Sequence, residues 1–144
     1  MKPTLEDAIL LAVEAHQGQR DKIGQPYILH PLRVMFRLTS ETERIVGVLH
    51  DVIEDTKYTV DDLRRMGYPG EVLDALDGVT KREGEPYENF VLRSKTNPIA
   101  KNVKLADLED NMDIRRMAGV TEKDMQRLIR YRKAWAVLQQ ENYE

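Results

Sequence analysis

The run ERIVGVLHDVIEDT, residues 43–56, decides how the chain is read. At about 100° per residue, Ile45, Val48, Leu49, Val52 and Ile53 recur at i, i+3, i+4, i+7 and i+8, the stripe of a helix that faces a core. On that wheel His50, Asp51, Glu54 and Asp55 all fall on the opposite side, where a solvated polar face is the ordinary outcome. This face lacks the ordinary compensation. Asp51 and Asp55 stand at i, i+4, where like charges repel, and no Lys or Arg lies between Arg44 and Lys57. A divalent cation would relieve the repulsion, with neutral His50 and ionised Asp51 as ligands.

Outward from this run, the helix signals continue. Thr4-Leu-Glu-Asp7 has the form of a capping box, and Leu5, Ala8, Ile9, Ala12 and Val13 carry a first helix to about His16. A loop from Gln17 to Pro26 follows, then a short helix opening near His30-Pro31 and running through Val34 to Leu38. Ser40 caps the helix that holds the opening run. Thr59-Val-Asp-Asp62 caps a brief helix ended by Gly67, and Pro69 opens one carrying Val72, Leu73 and Leu76 that Gly78 closes. A polar loop at 81–86 leads to a helix from Tyr87 to Lys95, Pro98 opens a long helix to about Met117, and Thr121 caps the last. No segment alternates with period two, so the expectation is an all-α fold, one domain over residues 1–144.

Composition narrows the function classes. With 144 residues, 41% apolar and 33% charged at a net charge of −3, the chain suits a globular cytoplasmic protein and offers no strong field for a nucleic-acid polymer or a membrane. Cysteine is absent, so any metal must be held by His and carboxylate. The N-terminal apolar stretch is interrupted by Glu6, Asp7 and Glu14, which reads as neither signal peptide nor membrane span.

Two further ligand candidates stand elsewhere. His30 sits in YILHPLRV at the start of a helix, where it can point into a bundle. In NPIAKNVKLADLEDNMDIRRM, residues 97–117, one apolar face is marked by Ile99, Val103, Ala106, Ile114 and Met117 and another by Leu105, Leu108 and Met112, so this helix is surrounded. Asp107 lies at the margin of the first face, with Asn111 a turn beyond. A carboxylate there is costly unless it is paired or bound to metal. His16, on the stripe of the first helix, reads as a packed or capping residue, and Leu128, Trp135 and Leu138 read as core or a partner face.

The stretches AHQGQRDKIGQPYILHPLRV, GVLHDVIEDT, GVTK and VKLADLEDNMD, in that order, resemble the HD-domain metallophosphohydrolases. More closely, they resemble the hydrolase domain of the RelA/SpoT homologues and the stand-alone small alarmone hydrolases, over Ala15 to Tyr131. The resemblance implies an all-α bundle with a central metal site, His30, His50, Asp51 and Asp107 as ligands, and Mn²⁺ or another divalent cation as cofactor. It assigns Glu54 and Asp55 to orienting or deprotonating the attacking water. It also implies a phosphorylated nucleotide as substrate, contacted by Lys22, Lys81, Asn111, Arg127 and Tyr131; for Asn111 the alternatives are a ribose hydroxyl and the ligand carboxylate. The implied reaction is hydrolysis of the 3′-pyrophosphate of (p)ppGpp.

Two departures qualify the target. Asp21 stands where the alarmone hydrolases have an arginine against the purine base, and an aspartate supplies no guanidinium plane, unless Arg20 shifts register to replace it. Glu109-Asp110 stands where the family is less acidic, which reads as unfavourable for a highly anionic substrate. The alternatives are the same metal chemistry on a nucleoside monophosphate or NADPH, and a non-catalytic nucleotide-sensing scaffold. Retention of all four ligands together with Glu54 and Asp55 argues against the scaffold.

Overall fold

In the computed structural model, residues 1–140 are described, and helices account for all of their regular structure apart from a single bridge between Arg20 and Pro26. In chain order these are α1 (Leu5–Ala15), α2 (Leu29–Phe36), α3 (Glu41–Leu49), α4 (Val52–Asp55), α5 (Val60–Arg65), α6 (Gly70–Val79), α7 (Tyr87–Lys95), α8 (Pro98–Asn111), a 3₁₀ turn (Ile114–Arg116) and α9 (Glu122–Gln139). The all-α expectation is borne out. None of these helices is long and apolar enough to cross a membrane.

The caps work as their residue types dictate. Thr4, Thr59 and Thr121 each accept from the backbone three residues on, while Asp7, Asp62 and Asp124 reach back to close the box. Ser40 caps α3, and Asn97 accepts from Ile99 and Ala100 ahead of Pro98 in the first turn of α8.

The core forms where α1, α2, α3, α6 and α8 meet, with Ala12, Val34, Val46, Leu49, Leu76 and Val103 wholly buried. A smaller cluster joins Val91, Leu108, Ala134 and Leu138, with Tyr87, Tyr131 and Trp135 packed against it. Helix α8 lies between the two, Val103 and Ala106 on one side and Leu108 on the other, as its two apolar faces predict, but Ile114 and Met117 of the first face fall beyond its end and Ile114 is exposed. Asp107 sits on the seam.

Three boundaries differ from the sequence expectation. The helix expected through residues 45–55 breaks after Leu49. His50 Nδ1 donates to the Gly47 carbonyl at 2.6 Å, taking the acceptor that the residue-51 amide would use in an unbroken helix. The stripe stays inside, but the break turns His50 inward to 3% exposure, where the wheel had put it on the polar side. The long helix ends at Asn111 rather than near Met117, because Asp113 accepts from the Arg115 amide and starts the 3₁₀ turn.

Third, Gly78 lies inside α6, which runs on to Val79, and its lack of a side chain serves packing: a Cβ there would stand 2.8 Å from the Ala100 Cβ of α8. Neither atom is the end of a flexible chain, so Gly78→Ala must push two helices apart. Overpacking costs typically about 1–3 kcal/mol against up to ~1 kcal/mol gained in helix propensity, for an expected net loss of up to about 2 kcal/mol. A lowered urea midpoint at unchanged slope is the expected reading.

Candidate active site

Three parts of the bundle aim side chains at one point. His30 comes from the first turn of α2, His50 and Asp51 from the break between α3 and α4, and Asp107 from α8. His30 Nε2 lies 2.9 Å from Asp107 Oδ1 and 3.7 Å from Asp51 Oδ2. His50 Nε2 lies 3.2 Å and 3.1 Å from the same two oxygens. The four residues predicted as ligands are thus brought together, with His30, His50 and Asp107 buried and Asp51 partly open.

The far sides of both imidazoles are occupied. His30 Nδ1 donates to Asp110 Oδ2 at 2.6 Å, and His50 Nδ1 donates to the Gly47 carbonyl at 2.6 Å. A carbonyl only accepts, so the His50 proton belongs on Nδ1 and the Nε2 lone pair faces the cluster. This is the arrangement that orients metal-binding histidines, and the N₂O₂ donor set suits a divalent cation of intermediate hardness. The residues present fit such an ion.

Without a cation, protons hold the cluster together. Burial pulls His50 down, but Asp51 and Asp107 outweigh it and raise the imidazole well above the ordinary histidine range. His30 is raised for the same reason, by Asp107 and Asp110 against burial. Burial alone would raise Asp107, yet Lys104 and the two histidines hold it well below the usual carboxylate range.

Lys104 was not singled out by sequence reasoning. It is buried, its Nζ 3.0 Å from Asp107 Oδ2 and over the rings of Phe90 and Tyr87. With that oxygen taken, Asp107 turns Oδ1 to both histidines and accepts there from Asn111 Nδ2 at 3.1 Å. Asn111 thus meets the carboxylate of Asp107, the candidate ligand, which is one of its two anticipated partners. Tyr27, also missed, donates to Asp51 Oδ2 at 2.5 Å. A Lys one turn before an Asp, and a Tyr three residues before a His, were the available signals.

Asp110 corrects the reading of the acidic pair. Besides His30 it meets Arg33 at 2.8 Å and Arg116 at 3.1 Å, and its carboxylate is 1% exposed. Burial raises it, but His30 and Arg33 bring it down to about 2. Glu109 accepts from Trp135 Nε1 at 3.0 Å on the far side of α8. Neither carboxylate lines the cavities described next, so their charge is not presented to a substrate there.

Two adjoining cavities open from the cluster. The smaller, about 230 Å³, holds His30, His50, Asp51 and Asp107 together with Glu54, Asp55, Lys81 and Arg130. The larger, about 600 Å³, is lined by Arg20, Lys22, Arg116 and Arg127 among others. Tyr27, His30, Asn111 and Tyr131 line both. All five predicted substrate contacts therefore face this space, and Arg130, which stacks on Tyr87 at 4.9 Å, joins them unforeseen. Asp21 does not stand in for an arginine: its Oδ1 accepts from the Ile23 and Gln25 amides and closes the turn that presents Arg20 and Lys22.

Glu54 and Asp55 lie one turn beyond His50 and Asp51, with oxygens in the neighbourhood of Asp51. Glu54 Oε1 accepts from the Lys81 amide at 3.1 Å. Burial and the carboxylates of Asp51 and Glu54 push the Asp55 carboxyl up to about 6.

Comparisons with known proteins point the same way. The GTP pyrophosphokinase of Streptomyces coelicolor is 38% identical over 122 residues, 75% of this chain and 14% of the relative. The guanosine-3′,5′-bis(diphosphate) 3′-pyrophosphohydrolase of Aquifex aeolicus is 32% identical over 120 residues, 75% and 17% respectively. The bifunctional (p)ppGpp synthase/hydrolase SpoT of Escherichia coli is 31% identical over 141 residues, 87% and 19%. The chain thus spans less than a fifth of the length of these relatives, whose names cover both making and breaking the nucleotide. Among solved structures, a metazoan ortholog of SpoT described as hydrolysing ppGpp shares the fold at a TM-score of 0.77 and 24% identity, over 99% of this chain and 90% of that one. No protein-family model matches.

Proposed function

We propose that this RelA/SpoT-type hydrolase domain is a divalent-cation-dependent phosphohydrolase that removes the 3′-pyrophosphate of guanosine alarmones, acting in the cytoplasm. The observation that carries the reading is the convergence of two Nε2 and two carboxylate oxygens in a cavity that shares Tyr27, His30, Asn111 and Tyr131 with a larger one, where Arg20, Lys22, Arg116 and Arg127 outnumber the carboxylates of Asp21, Asp113 and Asp124. His30, His50, Asp51 and Asp107 hold the ion, with Mn²⁺ the metal the resemblance implies. When bound, the cation polarises a phosphate oxygen and makes water a better nucleophile at neutral pH.

The protein's own residues do the rest. Asp110 and Gly47 hold the histidine tautomers, and Lys104 and Asn111 fix which oxygen Asp107 presents. Asp55, with its carboxyl near 6, takes a proton at neutral pH, while Glu54, fixed by the Lys81 amide, orients the water that loses it. Lys81 and Arg130 face the pyrophosphate; Lys22, Arg127 and Tyr131 face the nucleoside and its other phosphates.

One observation favours a second reading with the same chemistry. Asp21 is committed to its own turn and supplies no guanidinium at that position, which weakens the case for guanine in particular and leaves another nucleotide, such as NADPH or a nucleoside monophosphate, as the alternative substrate. Mn²⁺-loaded protein assayed against ppGpp, NADPH and nucleoside monophosphates separates them. Pyrophosphate released from ppGpp supports the first reading; phosphate released from one of the others, with ppGpp untouched, supports the second.

Metal binding carries its own pH signature. A ligand histidine must be neutral, and the raised pKa values of His30 and His50 mean that protons hold the site to higher pH than on free imidazole. Mn²⁺ affinity is therefore expected to climb from pH 6 to pH 8, with protons released on binding. Calorimetry in buffers of different ionisation enthalpy checks this; an affinity flat over that range contradicts it.

A further inference from the structure

Helix α6 ends without a left-handed glycine: Thr80 is extended (φ −106°, ψ 117°), its amide donates to the Asp77 carbonyl at 3.3 Å and its Oγ1 to the Leu76 carbonyl at 2.7 Å. Further donors to this end of the helix come from α7. Arg93 Nη1 donates to the Asp77 carbonyl at 2.7 Å and Nη2 to the Thr80 carbonyl at 2.8 Å, while Ser94 Oγ donates to that of Gly78 at 2.6 Å. The same guanidinium forks onto Glu85, Nε to Oε2 and Nη2 to Oε1, both at 2.9 Å. Glu85 Oε1 in turn accepts from the Arg82 amide at 3.1 Å. One side chain, 19% exposed, thus ties both ends of segment 80–86 to α7.

That segment carries Lys81, whose amide holds the Glu54 carboxylate and whose side chain lines the smaller cavity. Arg93 itself lines neither site cavity. We propose that Arg93 is a positioning residue for hydrolysis, fixing through segment 80–86 and the Lys81 amide where the Glu54 carboxylate stands relative to the metal ligands. The proposal rests on the phosphohydrolase reading above. A purely structural clamp would lower stability without any link to Glu54.

Arg93→Lys keeps a cation for Glu85 but cannot reproduce the fork or reach both carbonyls. With Mn²⁺-loaded protein and ppGpp, we expect kcat to fall about tenfold or more, since misplacement on the order of 1 Å costs up to ~10²-fold. Mn²⁺ affinity should stay within about twofold, because no ligand lies on 80–86 or α7. The deciding measurement is a double-mutant cycle: in a Glu54→Gln background, Arg93→Lys should lower kcat by less than about twofold, because the group it positions is already gone. Equal fold-losses in the two backgrounds, or an unchanged kcat, overturn the proposal. Glu85→Gln, which weakens the fork and leaves the carbonyl bonds, serves in the same cycle if Arg93→Lys does not fold. Should the parent hydrolyse none of the nucleotides, the phosphohydrolase reading fails by itself. Amide exchange at Lys81 then still judges the placement: faster in Arg93→Lys sustains it, unchanged overturns it.

Discussion

Asp51→Asn is expected to fold like the parent and to lose nucleotide hydrolysis by about 10³-fold, because a Lewis acid worth several kcal/mol leaves with its ligand and each ~1.4 kcal/mol is a factor of ten. Asparagine keeps the size of Asp51 and an oxygen that accepts from Tyr27, and the parent side chain is 16% exposed, so the cost to the fold is modest. Chelation of the parent should reproduce the same loss. Asp107→Asn should abolish turnover too but for two reasons at once. Asp107 is the carboxylate that neutralises buried Lys104, and stripping a buried cation of its partner costs about 3–5 kcal/mol, a large share of the ~5–15 kcal/mol that holds a domain together. Thermal melts beside turnover assays separate the two: Asp51→Asn melts near the parent, Asp107→Asn well below it. Turnover by Asp51→Asn within tenfold of the parent would sink the ligand assignment.

That contrast shows what a sequence can and cannot carry. The caps at Thr4, Ser40, Thr59 and Thr121, the start of α8 at Pro98 and its surrounded character follow from local rules, and the helices form close to where those rules put them. Asp107 was suspect from its apolar setting alone. The break at His50 was not legible, because it depends on an imidazole winning the Gly47 carbonyl from the backbone, a competition that a helical wheel does not represent. His50 was accordingly placed on the wrong side while its role as a ligand candidate survived. The partners of Asp110 were hidden for a different reason: its contact with His30 spans 80 residues of sequence, and no periodicity reports on so distant a pair. Read in sequence, Asp110 adds charge beside a site; in the fold it is spent on His30, Arg33 and Arg116.

The division of labour between Glu54 and Asp55 yields the other large effect. Loss of a positioned proton acceptor costs about 10²–10⁴-fold in rate, so Asp55→Asn should lower kcat by that amount with little change in Mn²⁺ affinity. The two carboxylates differ in surroundings. Glu54 is held by the Lys81 amide, whereas Asp55 is pushed up to about 6 by burial and by Asp51 and Glu54 beside it. A raised carboxyl is ionised, and able to take a proton, only above its pKa; activity should therefore fall as pH drops through about 6. A bound cation favours the carboxylate and moves that fall lower, never higher. If Asp55 is the acceptor, then at Mn²⁺ concentrations that saturate the site at every pH the acid limb disappears in Asp55→Asn, while Glu54→Gln is slower than the parent and keeps the limb. An acid limb that survives Asp55→Asn and vanishes in Glu54→Gln would exchange the two roles, leaving Asp55 to orient the water and Glu54 to take its proton.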